Sequence, residues 1–197
     1  NCEILNTKKL HSYMIHNYNF FKDNMFLYDD LIRAKELGII KSMGISLYNN
    51  DSINDVLNNF SEFDFIQIPF NIFDNENKRK VIADIAVSKN IKIHARSIFL
   101  QGLFFKKIND LSSNLHGLKK YLITIKKIQD KKSLKISDLA LKYVINKKFI
   151  DKVVIGVSNL QQLKNNLETC KKKFKVPNKE IEKIDVLDDY LLNPSNW

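Results

Sequence analysis

Short apolar runs alternate along the chain with stretches of helical period. Residues 12–16 (SYMIH) read as a strand, and residues 28–37 follow as an amphipathic helix with Leu31, Ile32 and Leu37 on one side. Gly38 is placed to end that helix, because a glycine tolerates the left-handed turn at a C-terminal cap. Residues 39–46 (IIKSMGIS) form the next strand, and Asp51 stands as a cap before Ile53, Val56 and Leu57. Residues 64–68 (DFIQI) and 91–97 (IKIHARS) read as strands on either side of a helix at 76–88. A long loop over residues 98–117 precedes helices near 118–130 and 136–146, the second capped by Ser133 or Ser137. Residues 152–155 (KVVI) form a short buried strand, and helices at 159–172 and 178–187 close the chain.

Strands that alternate with helices imply parallel strands joined by crossover helices, an α/β fold with five strands. No Pro- or Ser-rich linker interrupts residues 1–197, so the pattern describes a single domain. A doubly wound sheet and a barrel both satisfy it, and a Rossmann G-x-G-x-x-G is lacking. The 197 residues, with 44% hydrophobic and 27% charged, are those of a globular protein with one sizeable core. No apolar run reaches the ~20 residues that span a bilayer, so no membrane partner is expected.

The formal charge of +10 and the pI near 9.4 would suit a polyanion. However, the 29 lysines are spread along the chain, and Arg33, Arg79 and Arg96 are the three arginines. Aromatic residues interleaved with a clustered basic face are lacking, so a nucleic-acid partner is not expected. The run Lys171 to Lys173 falls at a helix end, where cations suit the dipole. Cys2 and Cys170 have no metal-ligand spacing. No metal is expected, and a reduced, cytoplasmic chain is the simple reading.

Five segments, in order, resemble the aldo-keto reductase family. Residues 13–16 (YMIH) are similar to the strand that ends in that family's active-site histidine. Residues 34–46 (AKELGIIKSMGIS) resemble its helix ending in glycine, followed by a strand ending in G-x-S. Residues 66–71 (IQIPFN) are close to its Q-x-x-[YF]-N, and residues 96–104 (RSIFLQGLF) to its Y-S-P-L-x-Q-G-L-L. Residues 154–166 (VIGVSNLQQLKNN) are close to its I-P-G-x-x-x-x-x-Q-L-x-x-N. The variant RSIFLQGL looks most like bacterial members associated with cell-surface sugar pathways. The resemblance implies a (β/α)₈ barrel that uses NADP(H) or NAD(H) without a Rossmann domain and reduces a small-molecule carbonyl, here sugar-related. A complete barrel has eight strands and typically ~250 residues. The resemblance therefore implies a partial barrel of about five βα units, the C-terminal part of a reductase. The family's catalytic Asp, Tyr and Lys have no counterpart. That raises a second reading, an inactive remnant that binds a nucleotide or a partner protein. Open sheet edges at residues 13–16 and 153–155 would favour self-association.

The resemblance also assigns roles. His16 would donate a hydrogen bond to the carbonyl being reduced; the plainer alternative is a core or loop histidine held by backbone bonds. Ser46 and Gln67, at strand ends, would bind the carboxamide of the nicotinamide, for which a hydroxyl and an amide supply donor and acceptor. Leu47 stands where many members have Asn, and Gln67 as a mere strand terminus is the alternative. Arg96 replaces the aromatic residue that stacks on the nicotinamide. Its guanidinium can stack, bind the pyrophosphate or an acidic substrate, or form a surface salt bridge. Ser97, Gln101 and Gly102 would face the pyrophosphate. Val157, Ser158, Gln162 and Asn166 would bind phosphate and adenine at a helix start, or simply pack there. Gln162 stands where NADP-preferring members often carry Arg, and Lys164 is a candidate substitute, so the choice between NAD and NADP stays open.

Overall fold

The computed structural model describes residues 2–197. Five strands, β1 (Leu10–Ile15), β2 (Ile40–Ser46), β3 (Phe65–Pro69), β4 (Lys92–Arg96) and β5 (Lys152–Val153), follow one another in the sheet in sequence order. The pairs β1–β2 and β2–β3 are parallel. The helices between them are α1 (Tyr18–Asp23), α2 (Phe26–Glu36), α3 (Asn50–Asn59), α4 (Glu76–Ser88), α5 (Lys119–Lys132) and α6 (Ile136–Ile145). After β5 come α7 (Leu160–Lys171) and α8 (Asn178–Glu182). A strand followed by a helix, repeated with neighbours consecutive in the sheet, is the βα progression of a barrel and not the reversal of a doubly wound sheet. The fold is a partial (β/α)₈ barrel.

The chain separates into two compact units. Unit 1 contains residues 2–68 and Val81–His94; unit 2 contains Pro69–Lys80 and Ala95–Trp197.

In unit 1 the buried residues of β2 and β3 form near-continuous runs, as expected of parallel strands covered on both faces. Gly44 lies flat against the Phe65 ring. A Cβ there would stand 2.4 Å from ring carbons, so no larger residue fits without a shift. Phe65 also stacks on His94, with centroids 4.4 Å apart. Phe21, Tyr28, Phe60 and Phe63 form a knot of edge-on ring contacts. α2 ends as its glycine foretells. Gly38 has φ of +68°, its N–H donates to Lys35, and the N–H of Ile39 donates to Ala34.

Unit 2 has a larger core running from Phe70 and Phe73 to Leu139, Tyr143 and Val186. Tyr143 stacks on Phe70 with nearly parallel planes. Several buried polar side chains replace regular backbone pairing. Asn75 Nδ2 donates to the carbonyls of Ile72, Ile181 and Ile184, and Asn71 Oδ1 accepts from the N–H groups of Phe73 and Asp74. Asp74 and Arg79 form a buried two-pronged pair at 2.7 and 2.8 Å. Asp138 on α6 accepts from Thr169 and Lys172 at the end of α7.

Five expectations from sequence need correction. The cap of α3 is Asn49, whose side chain accepts from Ser52 N–H; Asp51 lies in the first turn. Ser133 does not cap α6 but ends α5, in a left-handed conformation with φ of +52°, and Ser137 lies inside α6. β5 is two residues long and only half-buried, with Val154 already 46% exposed. The last helix stops at Glu182, and Asn75 donates to the carbonyl of Ile181 in its last turn and to that of Ile184 beyond it. The strand read at 12–16 is shifted to Leu10–Ile15, which leaves His16 just beyond its end.

Candidate functional site

In unit 1 the polar candidates form a row along the strand ends. Ile15 is in register with Ile45, and Ile45 with Ile66. His16 follows Ile15, Ser46 follows Ile45, and Ser46 is in register with Gln67. His16 is exposed in the loop after β1, so it is not a core histidine, and the loop-histidine alternative still stands. Ser46 is 2% exposed and Gln67 half-buried, and the Gln67 carbonyl accepts from Leu47 N–H at 2.9 Å. Leu47 itself is fully buried and acts as a core residue. This row offers an imidazole, a hydroxyl and an amide, which together can donate to and accept from a carbonyl or carboxamide. Tyr18, two residues after His16, has another task. Its hydroxyl donates to Asp55 at 2.8 Å, and burial, reinforced by that carboxylate, pushes its pKa up to about 12.

In unit 2 a cleft of about 660 Å³ opens beside the segment that follows β4. Its lining includes Ser97, Gln101, Gly102, Ser158, Gln162 and Asn166, six of the residues singled out from sequence. The volume lies in the ordinary range of small-molecule sites, roughly 300–1,000 Å³. The backbone of one wall is unusual. Ser97, Leu100, Gln101 and Gly102 all have positive φ, at 58°, 45°, 49° and 82°. For a residue with a Cβ such a conformation is uncommon and costs about 1–2 kcal/mol. Asn71 Nδ2 donates to the Ser97 carbonyl, and the buried side chains of Leu100 and Leu103 anchor the segment, which is how the strain persists. A Cβ on Gly102 or Gly156 would meet nothing within 4 Å, so both glycines leave open space at the lining.

The opposite wall is the start of α7. Asn159 caps it by accepting from Gln162 N–H at 2.9 Å, while Gln162 Oε1 accepts from Ser158 N–H at 2.8 Å. Two residues expected to meet a phosphate therefore bond each other, which is the packed-helix-start alternative in concrete form. Gln162, Asn165 and Asn166 sit three and four apart on one face of α7. Val157, 40% exposed, is outside the lining. So is Arg96, whose Nη1 donates to Ser97 Oγ at 3.2 Å and thereby supports a residue that is in it.

Sequence reasoning missed Phe99, Phe105, Ser137, Gly156 and Asn165 in this lining. Phe99 and Phe105 pack at 5.5 Å between centroids. Ser137 carries no local signal, because only tertiary folding brings the first turn of α6 to a segment forty residues earlier in the chain.

The family model for the aldo/keto reductase family matches residues 1–189, and the chain belongs to that family. A search of curated proteins found no match. Among solved structures, the holo form of an aldo-keto reductase from Bacillus halodurans superposes with a TM-score of 0.74 at 18% identity, over 93% of this chain and 64% of that one. An aldo-keto reductase enzyme from a Medee basin deep-sea metagenome library gives 0.66 at 15% identity, over 94% of this chain and 62% of that one. At such identities the likeness concerns the fold. The chain spans less than two thirds of the length of these structures.

Proposed function

We propose that the chain is part of an oxidoreductase that transfers a hydride between a nicotinamide dinucleotide and an aldehyde or ketone, and that the unit 2 cleft binds the dinucleotide's phosphate-bearing portion. The observation that carries this reading is the cleft itself. Hydroxyl and amide donors and a helix start surround open space, on backbone strained into shape, and no carboxylate is present in its lining among the described residues. The donor set fits the group: Ser97, Gln101 and Ser158 offer hydrogen bonds to phosphate oxygens, and Asn166 presents an amide edge to a purine. Gly102 and Gly156 leave room for close approach.

For unit 1, taken by itself, the sequence resemblance supports a carboxamide-binding role for Ser46 and Gln67, and for His16 a hydrogen bond to a carbonyl as it gains negative charge. The nicotinamide, when bound, supplies the hydride. Arg96 holds Ser97 and adds positive charge next to it. A sugar-related carbonyl compound is the substrate class that the sequence resemblance favours.

Calorimetric titration of the purified chain with NADH and NADPH tests the reading. At least one should bind, and Arg96→Ala and Asn166→Ala should each weaken it about three- to tenfold, the effect of one or two lost hydrogen bonds. Unchanged affinity in both variants would place the dinucleotide elsewhere.

A further inference from the structure

The lining of the unit 2 cleft is neutral. Its polar members are serine, glutamine and asparagine, and among the described residues it includes neither a lysine nor an arginine. We propose that the site selects the unphosphorylated dinucleotide, NAD(H), over NADP(H). The inference rests on the dinucleotide reading above and sharpens it.

The two cofactors differ by one phosphate on the adenosine ribose, which carries about −1.5 to −2 charges near neutral pH. Such a group gains charge-assisted bonds where cations pair with it; Ser158, Gln162 and Asn165 are exposed and uncharged, and offer only the weaker bonds of hydroxyl and amide dipoles. The α7 face at the cleft is Gln162, Asn165 and Asn166. Lys164 is two positions from Gln162 and therefore projects from a different side of the helix; it is exposed and outside the lining. Gln162 Oε1 accepts from Ser158 N–H, which turns an oxygen lone pair, not a charge, toward the loop. The ribose hydroxyls of NAD(H) suit these groups better, because amide oxygens accept from a hydroxyl and cannot from a fully ionised phosphate. The net charge of +10 does attract anions from a distance, but at physiological salt its reach is screened beyond about 8 Å.

The test is a pair of titrations at 0.15 M salt, NADH against NADPH, with adenosine 5′-monophosphate against adenosine 2′,5′-bisphosphate to isolate the adenosine end. NADH should bind at least about tenfold more tightly, and the bisphosphate should be the weaker of the fragments. Gln162→Arg and, independently, Asn165→Arg should each raise NADPH affinity by about ten- to a hundredfold, since a guanidinium supplies charge-assisted bonds. Equal affinity for both cofactors, or tighter binding of NADPH, overturns the selectivity and leaves the dinucleotide reading standing. Binding of neither cofactor overturns both.

Discussion

The two units hold their polar residues by different means. In unit 1 the row of His16, Ser46 and Gln67 sits at the ends of regular, registered strands, and its position follows from pairing alone. In unit 2 the cleft is made by backbone that leaves regular structure, with four positive-φ residues between 97 and 102 and buried side chains taking over carbonyls that helices would have used. Regular pairing places single groups at a strand end. Grouping many donors around open space takes irregular backbone, and irregular backbone needs buried polar anchors to hold it. Unit 2 should therefore depend more heavily on those anchors.

The largest expected effect breaks one of them. Asp74 and Arg79 have side chains 3% and 6% exposed, and burial pushes the Asp74 carboxyl up against the pull of the guanidinium. Arg79→Ala leaves that carboxylate buried without its partner and should destabilise the protein by about 3–5 kcal/mol. The counterpart in unit 1 is Lys35 with Asp64, at 31% and 34% exposure, and Lys35→Ala should cost about 0–1 kcal/mol. Asp64 would retain its bond from the Met43 N–H. Urea titration of both variants decides the matter, and equal losses would erase the contrast between the units.

A smaller effect concerns acid. Burial alone would raise the Asp138 carboxyl, but hydrogen bonds from Lys172 and Thr169 outweigh it and hold it below the ordinary carboxylate value. A lowered folded value means stability that is present above the unfolded pKa of about 4 and lost as pH falls through the folded one. Asp138→Asn should remove that dependence and cost about 1–2 kcal/mol at pH 7. Asp55 in unit 1 is likewise lowered, by hydrogen bonds from Tyr18, Asn59 and Lys22 that outweigh the upward push of burial, so both units should weaken in acid. Melting temperatures between pH 3 and pH 7 check the sign; a variant that keeps the wild-type slope would move the tie elsewhere.

Legibility in the sequence follows the same division. The helix at 76–88 is read to the residue, and Gly38 at its cap, because apolar period and glycine are local signals. The parallel sense of the strands also follows from the alternation, whereas their consecutive order does not, since a doubly wound sheet shares the same alternation. Two asparagines were harder to read. Asn49 caps α3 although Asp51 looks equally suited, and only the backbone geometry separates them. Asn75 satisfies carbonyls at and beyond the end of the last helix from more than a hundred residues away, which no local pattern contains. At the site, Gly102 announces itself, whereas Ser97, Leu100 and Gln101 are not residues that signal a left-handed turn. Their conformation is imposed by Asn71 and the core beneath them. Ser137 enters the cleft by tertiary folding alone.

The smallest effect tests the contrast most directly, because it uses one chemistry in both units. Asn49 caps α3 by accepting from Ser52 N–H at 2.8 Å, and Asn159 caps α7 by accepting from Gln162 N–H at 2.9 Å. Replacing either with alanine frees one N–H and should cost about 1 kcal/mol. The stabilities should thus fall together. Nucleotide affinity should not: Asn159→Ala loosens the first turn of α7 and with it the Gln162–Ser158 bond at the cleft, whereas Asn49→Ala leaves every residue of that cleft in place. A calorimetric titration of both variants with NADH should show a loss of about threefold or more for Asn159→Ala and none for Asn49→Ala. Equal losses would mean that affinity merely tracks stability. A loss confined to Asn49→Ala would transfer the nucleotide to the strand ends of unit 1, and the strained segment at 97–102 would then need another explanation.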